Sequence, residues 1–560
     1  VGKGRPVLFH LSKWRPGRYE LQRFDRNISD VLVRFPDGHK YSPERLTTHS
    51  WEVDVTEGAE FIFEYTYYAH QLDAGGSFYD SDFIYVNGIN MLMYTLEDLD
   101  EPCELLLNIP EDYQIACGLP REGNMFFAKD YHQVVDAPLL ASRDLLHYEF
   151  EASGIPTHFW FQGPCAPDRK RLEEDVRRYT QKQLEVFGDF PVESYHYLCV
   201  MRPDKFRHGV EHFNSTVITM GPGFRFNDPD FYRSFIEICS HEFFHTWNVK
   251  ALRPADMFPY DYGGENYSRL HFITEGVTTY YGDLMIWKGG GWDTQSWLQS
   301  LNGEIRRFYQ MGGKSSVSLD QASLESWING YNQTGTPNRR ISFYTKGYLV
   351  AFLLDVEIRK ATGNEHSLDE VMRLMYQRIA KAGRGYTRED YKGIAEELSG
   401  LDLDTFFEDY ISGVRDLEDA LQIAGEYMGF ELRQRTHPNT LTSYFGIEWV
   451  ERENGRIFVS NLYPDSPGLT AGLSKGDELV SLNGWKVKTN VEEVLNFVDR
   501  TKPIEVHFFH QEKLRKSYMK SGNKFLRYIP QFFDISHPTD EQLQNRREWQ
   551  KVRTEIQVKG

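Results

Sequence analysis

Residues 240–254 read SHEFFHTWNVKALRP, and three of their side chains could do chemistry together: His241, Glu242 and His245. In a helix, positions i and i+4 lie one turn apart on one face. Two imidazole nitrogens on that face can meet a single zinc ion at about 2.0–2.1 Å. Glu242, beside the first histidine, is placed to take a proton from a metal-activated water without binding the metal itself. The flanks are apolar, with Phe235, Ile236, Ile238, Cys239, Phe243, Phe244 and Trp247 spread around the helix axis. Burying three ionisable groups there is costly unless something pairs with them. A metal would do so; a histidine pair bonded to backbone carbonyls is the other way such a pattern arises.

A hydrolytic zinc site needs a third protein ligand and an open position. SRLHFITEGVTTYYGDLMIW, residues 268–287, offers Glu275 among apolar neighbours. The 29 residues between it and His245 leave room for a loop and a returning helix. A glutamate paired with a lysine or arginine in a helical core is the competing reading of this position.

The elements that must hold these residues fall into three compositions. Residues 1 to about 165 carry short β-branched and aromatic runs (VLFHLSKW, SWEVDV, EFIFEYTYYAHQ, DFIYVNG) between Gly, Pro and Asp turn signals, which predicts an all-β domain. WRPGRY at 14–19 reads as a turn between two such runs. From 166 to 428 helices dominate: Asp168 and Gly188 bracket one, and Asp228 with Pro229 opens the one bearing the histidines. Residues 429–520 return to short strands with an Asn-Gly turn and one helix, a small β-rich module. Residues 521–560 are expected to form a tail packed on the body.

The net charge is -19, from 82 acidic and 63 basic residues, which argues against a nucleic-acid binder that must neutralise phosphates. Five scattered cysteines with no C-x-x-C pair point to neither a zinc knuckle nor a disulfide framework. No apolar run approaches the roughly 18 residues a membrane span needs. The scattered unpaired cysteines and the lack of a leader-like apolar stretch make the expected location cytoplasmic, while a start at Val1 leaves a removed leader open.

HEFFHTWNVKALRP, FITEGVTTYYGDL and ISFYTKGYLVAFLLDVEIRKATG, in that order, resemble the glycyl aminopeptidase family of zinc metallopeptidases with a PDZ domain. More distantly they are similar to aminopeptidase N and thermolysin, in which the third ligand is a glutamate on a later helix. The resemblance runs from KWRPGRY through the PDZ-like segment. It implies a multidomain chain with an N-terminal all-β domain, a mainly α thermolysin-like catalytic domain and a C-terminal PDZ-like domain. It also implies one zinc ion on His241, His245 and Glu275, with Glu242 as base. In aminopeptidase N relatives the tyrosine of Y-x-K-G stabilises the oxyanion; YTKG here supplies Tyr344. A phenol suits that role because it donates a hydrogen bond without adding charge.

The family's G-G-L-E-H strand corresponds to RHGVEH, with His208 in place of the first glycine and Val210 in place of leucine. Gly209 and Glu211 are retained, and the resemblance implies that they bind substrate, Glu211 gripping its free α-amine. The other reading of Glu211 is a solvated carboxylate on an edge strand. NVKALRP places Ala251 where the family commonly has the second residue of a Lys-Arg pair.

YFGI at 444–447 resembles the carboxylate-binding loop of PDZ domains, and a helix over 490–500 would form the other wall of a peptide groove. Capture of peptide C-termini and simple bracing of the catalytic domain are both open to this module. The expected activity is removal of small, Gly- or Ala-like N-terminal residues from peptides with a free amine. A zinc endopeptidase and a non-catalytic PDZ scaffold are the competing functions.

Overall fold

The computed structural model describes residues 2, 4–331, 336–521 and 528–554. Parts of the expected tail, 522–527 and 555–560, lie outside the described residues.

The first 143 residues fold into four small antiparallel sheets, as the short alternating runs and frequent turns require. Part of this region keeps small cores of its own, one around Val7, Val33, Val53 and Val55 and one around Leu11, Phe24, Ile28 and Trp51, and part joins the main core. Trp14, Tyr19 and Tyr131 pack in the same hydrophobic cluster as the catalytic helices.

The expected end of this domain at 165 is corrected by strand pairing. Leu146–Ala152 and Ile155–Gln162 are the first two strands of a five-stranded sheet that continues through Tyr195–Met201, Ser215–Gly221 and Phe206–Glu211. Ile155–Gln162 pairs parallel with Tyr195–Met201, so these two strands belong with the catalytic unit. Phe206–Glu211 closes the sheet and, among the described residues, pairs only with Ser215–Gly221, antiparallel, leaving its other edge open.

Against this sheet pack the helices that carry the chemistry. Pro229–Phe244 starts where its sequence signals place it: the Asp228 carboxylate accepts the amides of Asp230 and Phe231, and Pro229 fills the first turn. Arg169–Phe187 is opened by Asp168 and closed by Gly188 in the left-handed conformation. Thr278–Lys288, Thr294–Gln310 and Phe343–Thr362 complete the surroundings of the site.

The PDZ-like module is inserted into the body. Phe430–Thr436, expected within it, pairs instead with Tyr528–Asp534 in a two-stranded sheet, and the Gly425 and Phe532 contacts tie that sheet to the helical core. The module proper has its own core, including Leu441, Phe445, Ile447, Val459, Leu482 and Ile504. The chain then returns: Asp540–Gln550 buries Trp549 completely in the main core, and the Arg359 guanidinium lies 4.6 Å from its ring. Leaving and re-entering through paired strands fixes both ends of the insert.

Candidate active site

His241 and His245 sit on one face at the end of Pro229–Phe244, with their Nε2 atoms 3.0 Å apart. Glu275 arrives from a second helix and places Oε2 3.5 Å from His245 Nε2. One donor atom from each of the three falls within 4.8 Å of the others. Ligands about 2.0–2.1 Å from one ion adopt separations of this size. Two neutral nitrogens and one carboxylate oxygen are a zinc donor set, so the residues fit the metal the sequence implies.

Both ligand segments lose regular helical winding at the site. Lys250 N bonds His245 O and Leu252 N bonds Trp247 O, i→i+5 closures that widen the helix just after the second histidine. Glu275 lies in a similar π-type turn, Phe272–Val277. His245 Nδ1 donates to Asn248 O at 2.8 Å, which leaves Nε2 as the free donor. The Asn248 side-chain amide donates to Ile273 O and Thr278 Oγ1 on the Glu275 segment. One residue thus orients a histidine and locks the two ligand-bearing segments together.

The third segment approaches because two glycines meet. A Cβ on Gly276 would lie 2.5 Å from Gly347 Cα, so the E-G and Y-x-K-G stretches pack backbone on backbone. That contact brings Tyr344 into the same cavity as Glu275. Its phenol is buried among Tyr331 and Tyr19, and burial, with Glu275 adding to it, keeps it protonated far above its ordinary range.

Glu211 is buried, not solvated, which removes the edge-strand reading of that carboxylate. It lies against Gly17, and its Oε1 has no hydrogen-bond partner among the described residues. Glu211, Glu242 and His245 also fall within 4.8 Å of one another, so three carboxylates surround one histidine pair. Burial pushes Glu242 up to about 8; His245 opposes this, and the neighbouring carboxylates reinforce it. Burial alone would lower His245, but Glu211, Glu275 and Glu242 outweigh it and raise it to about 9. The site carries an excess of negative charge that cations would neutralise.

The strand beside these groups must run close. Gly209 faces Glu242, and its neighbour His208 also lines the cavity, with Nε2 3.5 Å from Arg15 Nη2 and Nδ1 3.8 Å from Asp73 Oδ1.

The N-terminal turn is part of the site, which the sequence reading of WRPGRY missed. Tyr19 Oη donates to Glu275 Oε1 at 3.3 Å, and its ring stacks on His271 at 3.7 Å. Arg15, Gly17 and Arg18 line the cavity, which has a volume of about 600 Å³. A partner 256 positions away leaves no spacing signal; an aromatic two residues after the Pro16-Gly17 turn was the one available hint.

A helix-borne histidine pair, a carboxylate from the next helix and an open edge strand define a metallopeptidase. The model of the M61 glycyl aminopeptidase family matches residues 234–350, that family's N-terminal domain model matches 1–143, and a PDZ domain model matches 433–508. Among solved structures, an aminopeptidase N family protein from Idiomarina loihiensis shares the fold with a TM-score of 0.89 at 23% identity, over 98% of this chain and 96% of that one. An M1 zinc metallopeptidase from Deinococcus radiodurans aligns with a TM-score of 0.45 at 12% identity, over 74% of this chain and 87% of that one. No curated protein matches the sequence.

Proposed function

We propose that the protein is a zinc-dependent aminopeptidase that removes small N-terminal residues, with His241, His245 and Glu275 holding one ion. A bound zinc would supply Lewis acidity and draw the pKa of a water toward neutrality. Glu242 takes the proton of the attacking water and delivers it to the leaving nitrogen. Tyr344 donates a hydrogen bond to the carbonyl oxygen as negative charge builds there, in a cavity where little water weakens it.

The observation that carries the aminopeptidase reading is Glu211. Its carboxylate is buried, lacks a partner on Oε1, and stands within 4.8 Å of the Glu242 and His245 donor atoms. An ammonium bound there sets the first peptide bond beside the base. An acylated amine would offer no charge to offset a buried carboxylate. Arg15, Gly17 and His208 wall the cavity near Glu211, which favours a short first side chain.

Glu211→Ala tests the assignment. Turnover of free-amine peptides should fall at least about 100-fold, while N-acetylated analogues stay equally poor. An unchanged preference for free amines would remove Glu211 from the role.

A further inference from the structure

Alternation along Ile155–Gln162 sends its side chains to two faces of the catalytic sheet. Phe159 and Phe161 face the helix that carries the histidines, with both ring centroids within 6.4 Å of that of Phe235. His158 and Trp160 alternate with them and so face away from the active site. On the adjoining strand Leu146–Ala152, His147 stands opposite Trp160 and Glu149 opposite His158. Opposed residues on adjacent strands keep their Cβ atoms about 4.5–5.5 Å apart on one face. His147, Glu149 and His158 therefore gather on the outer side of the sheet.

The gathering is close. His147 Nε2 and His158 Nδ1 are 3.1 Å apart, against 3.0 Å between the Nε2 atoms of His241 and His245. One donor atom from each of His147, Glu149 and His158 lies within 4.8 Å of the other two, as it does for His241, His245 and Glu275. Donors about 2.0–2.1 Å from one ion take separations of this size. A hydrogen bond between the two rings would account for the histidines alone and would give Glu149 no part.

The rings are also held in place. Trp160 stacks on His147 at 3.5 Å with the planes 3° from parallel, and His196 stacks on His158 at 4.5 Å. Rings fixed beforehand lower the ordering cost of binding. Burial lowers the pKa of both His147 and His158, so near neutral pH each keeps a lone pair to offer. Both histidines are half-buried and Glu149 is exposed, which lets an ion in and leaves room for water in its shell. Two imidazole nitrogens with one carboxylate oxygen suit zinc, nickel or copper better than calcium or magnesium.

We propose that His147, Glu149 and His158 form a second metal site, for a divalent transition ion such as zinc, on the face of the catalytic sheet turned away from the active site. Leu146–Ala152 is the outermost strand and, among the described residues, pairs only with Ile155–Gln162. An ion held by both strands clamps that edge of the sheet. It touches no substrate, so its role is to stabilise. Strand pairing assembles this site, which is why helical spacing in the sequence gave no sign of it.

Counting ions tests the proposal. Full-length protein stripped with chelator would be dialysed against buffered free zinc and its metal content measured, for the wild type, for His147→Gln with His158→Gln, and for Glu149→Gln. The double variant should hold one ion fewer than the wild type and keep alanine p-nitroanilide turnover within about twofold, as expected for independent sites. Glu149→Gln, which leaves the ring pair intact, should release that ion at lower chelator concentration than the wild type. Near-ultraviolet circular dichroism checks folding without reference to activity. If the double variant is unfolded, the exposed Glu149→Gln change decides by the same release. An equal count in the wild type and a folded double variant would overturn the site, and so would release from Glu149→Gln unchanged from the wild type. The difference between the counts is read whether or not the protein turns over the anilide, so a failed aminopeptidase reading would leave this result standing.

Discussion

Gly209 and Glu242 stand so close that a single added carbon would collide: a Cβ at 209 would fall 2.1 Å from Glu242 Oε1 and 2.8 Å from Ile238 Cδ1. The edge strand thus runs directly over the carboxylate assigned as base. Gly209→Ala should displace Glu242 and lower kcat by about 100-fold or more, with metal content retained. Metal analysis beside steady-state kinetics checks this; normal turnover would show that the strand can yield.

Glu242→Gln keeps the shape of the side chain and removes its ability to carry a proton. Turnover should fall by about 10²–10⁴-fold while the metal stays bound, because the ligands are His241, His245 and Glu275. Loss of metal in this variant would place Glu242 among the ligands instead.

Tyr344→Phe removes one hydroxyl from a half-buried ring. The expected change is a fall in kcat of about 10²–10³-fold with KM nearly constant, the signature of a contact made in the transition state. A change confined to KM would make Tyr344 a substrate-packing residue.

Asn248 touches no reacting group, yet its side chain bonds the Glu275 segment while its carbonyl holds His245. Asn248→Ala should weaken zinc binding about 10- to 100-fold, read by competition with a chelating dye. Unchanged affinity would show that the backbone carbonyl suffices.

The local part of this site was legible in the sequence, because helical spacing alone brings His241 and His245 together. Glu275 stood out as a carboxylate with no evident reason to sit among apolar residues. What stayed hidden depends on contacts between distant segments. Tyr19 reaches Glu275, and Gly276 meets Gly347, through packing that no periodicity encodes. The domain limits misled for a related reason: a β-rich composition over 1–165 and 429–520 does not say which partner a strand such as Leu146–Ala152 or Phe430–Thr436 chooses.

Acid should destabilise the fold through His196, which stacks on His158 in the catalytic sheet. Burial, with His158 and His147 adding to it, lowers His196 from 6.5 to about 3. Between those values the unfolded chain binds a proton that the folded chain refuses, so stability is lost as pH falls below 6.5. At pH 5 the loss from this group approaches about 2 kcal/mol. Urea melts at pH 7 and pH 5 should show a smaller gap for His196→Gln than for the wild type; an equal gap would assign the acid sensitivity elsewhere.

The most direct test of the central claim is hydrolysis of glycyl and alanyl p-nitroanilides beside N-acetylated peptides, before chelation, after it, and with zinc restored. The account predicts turnover of the free-amine substrates alone, abolished by chelator and recovered with zinc. Cleavage of the acetylated peptides at comparable rates would contradict it, leaving a zinc peptidase in which Glu211 does not select the amino terminus.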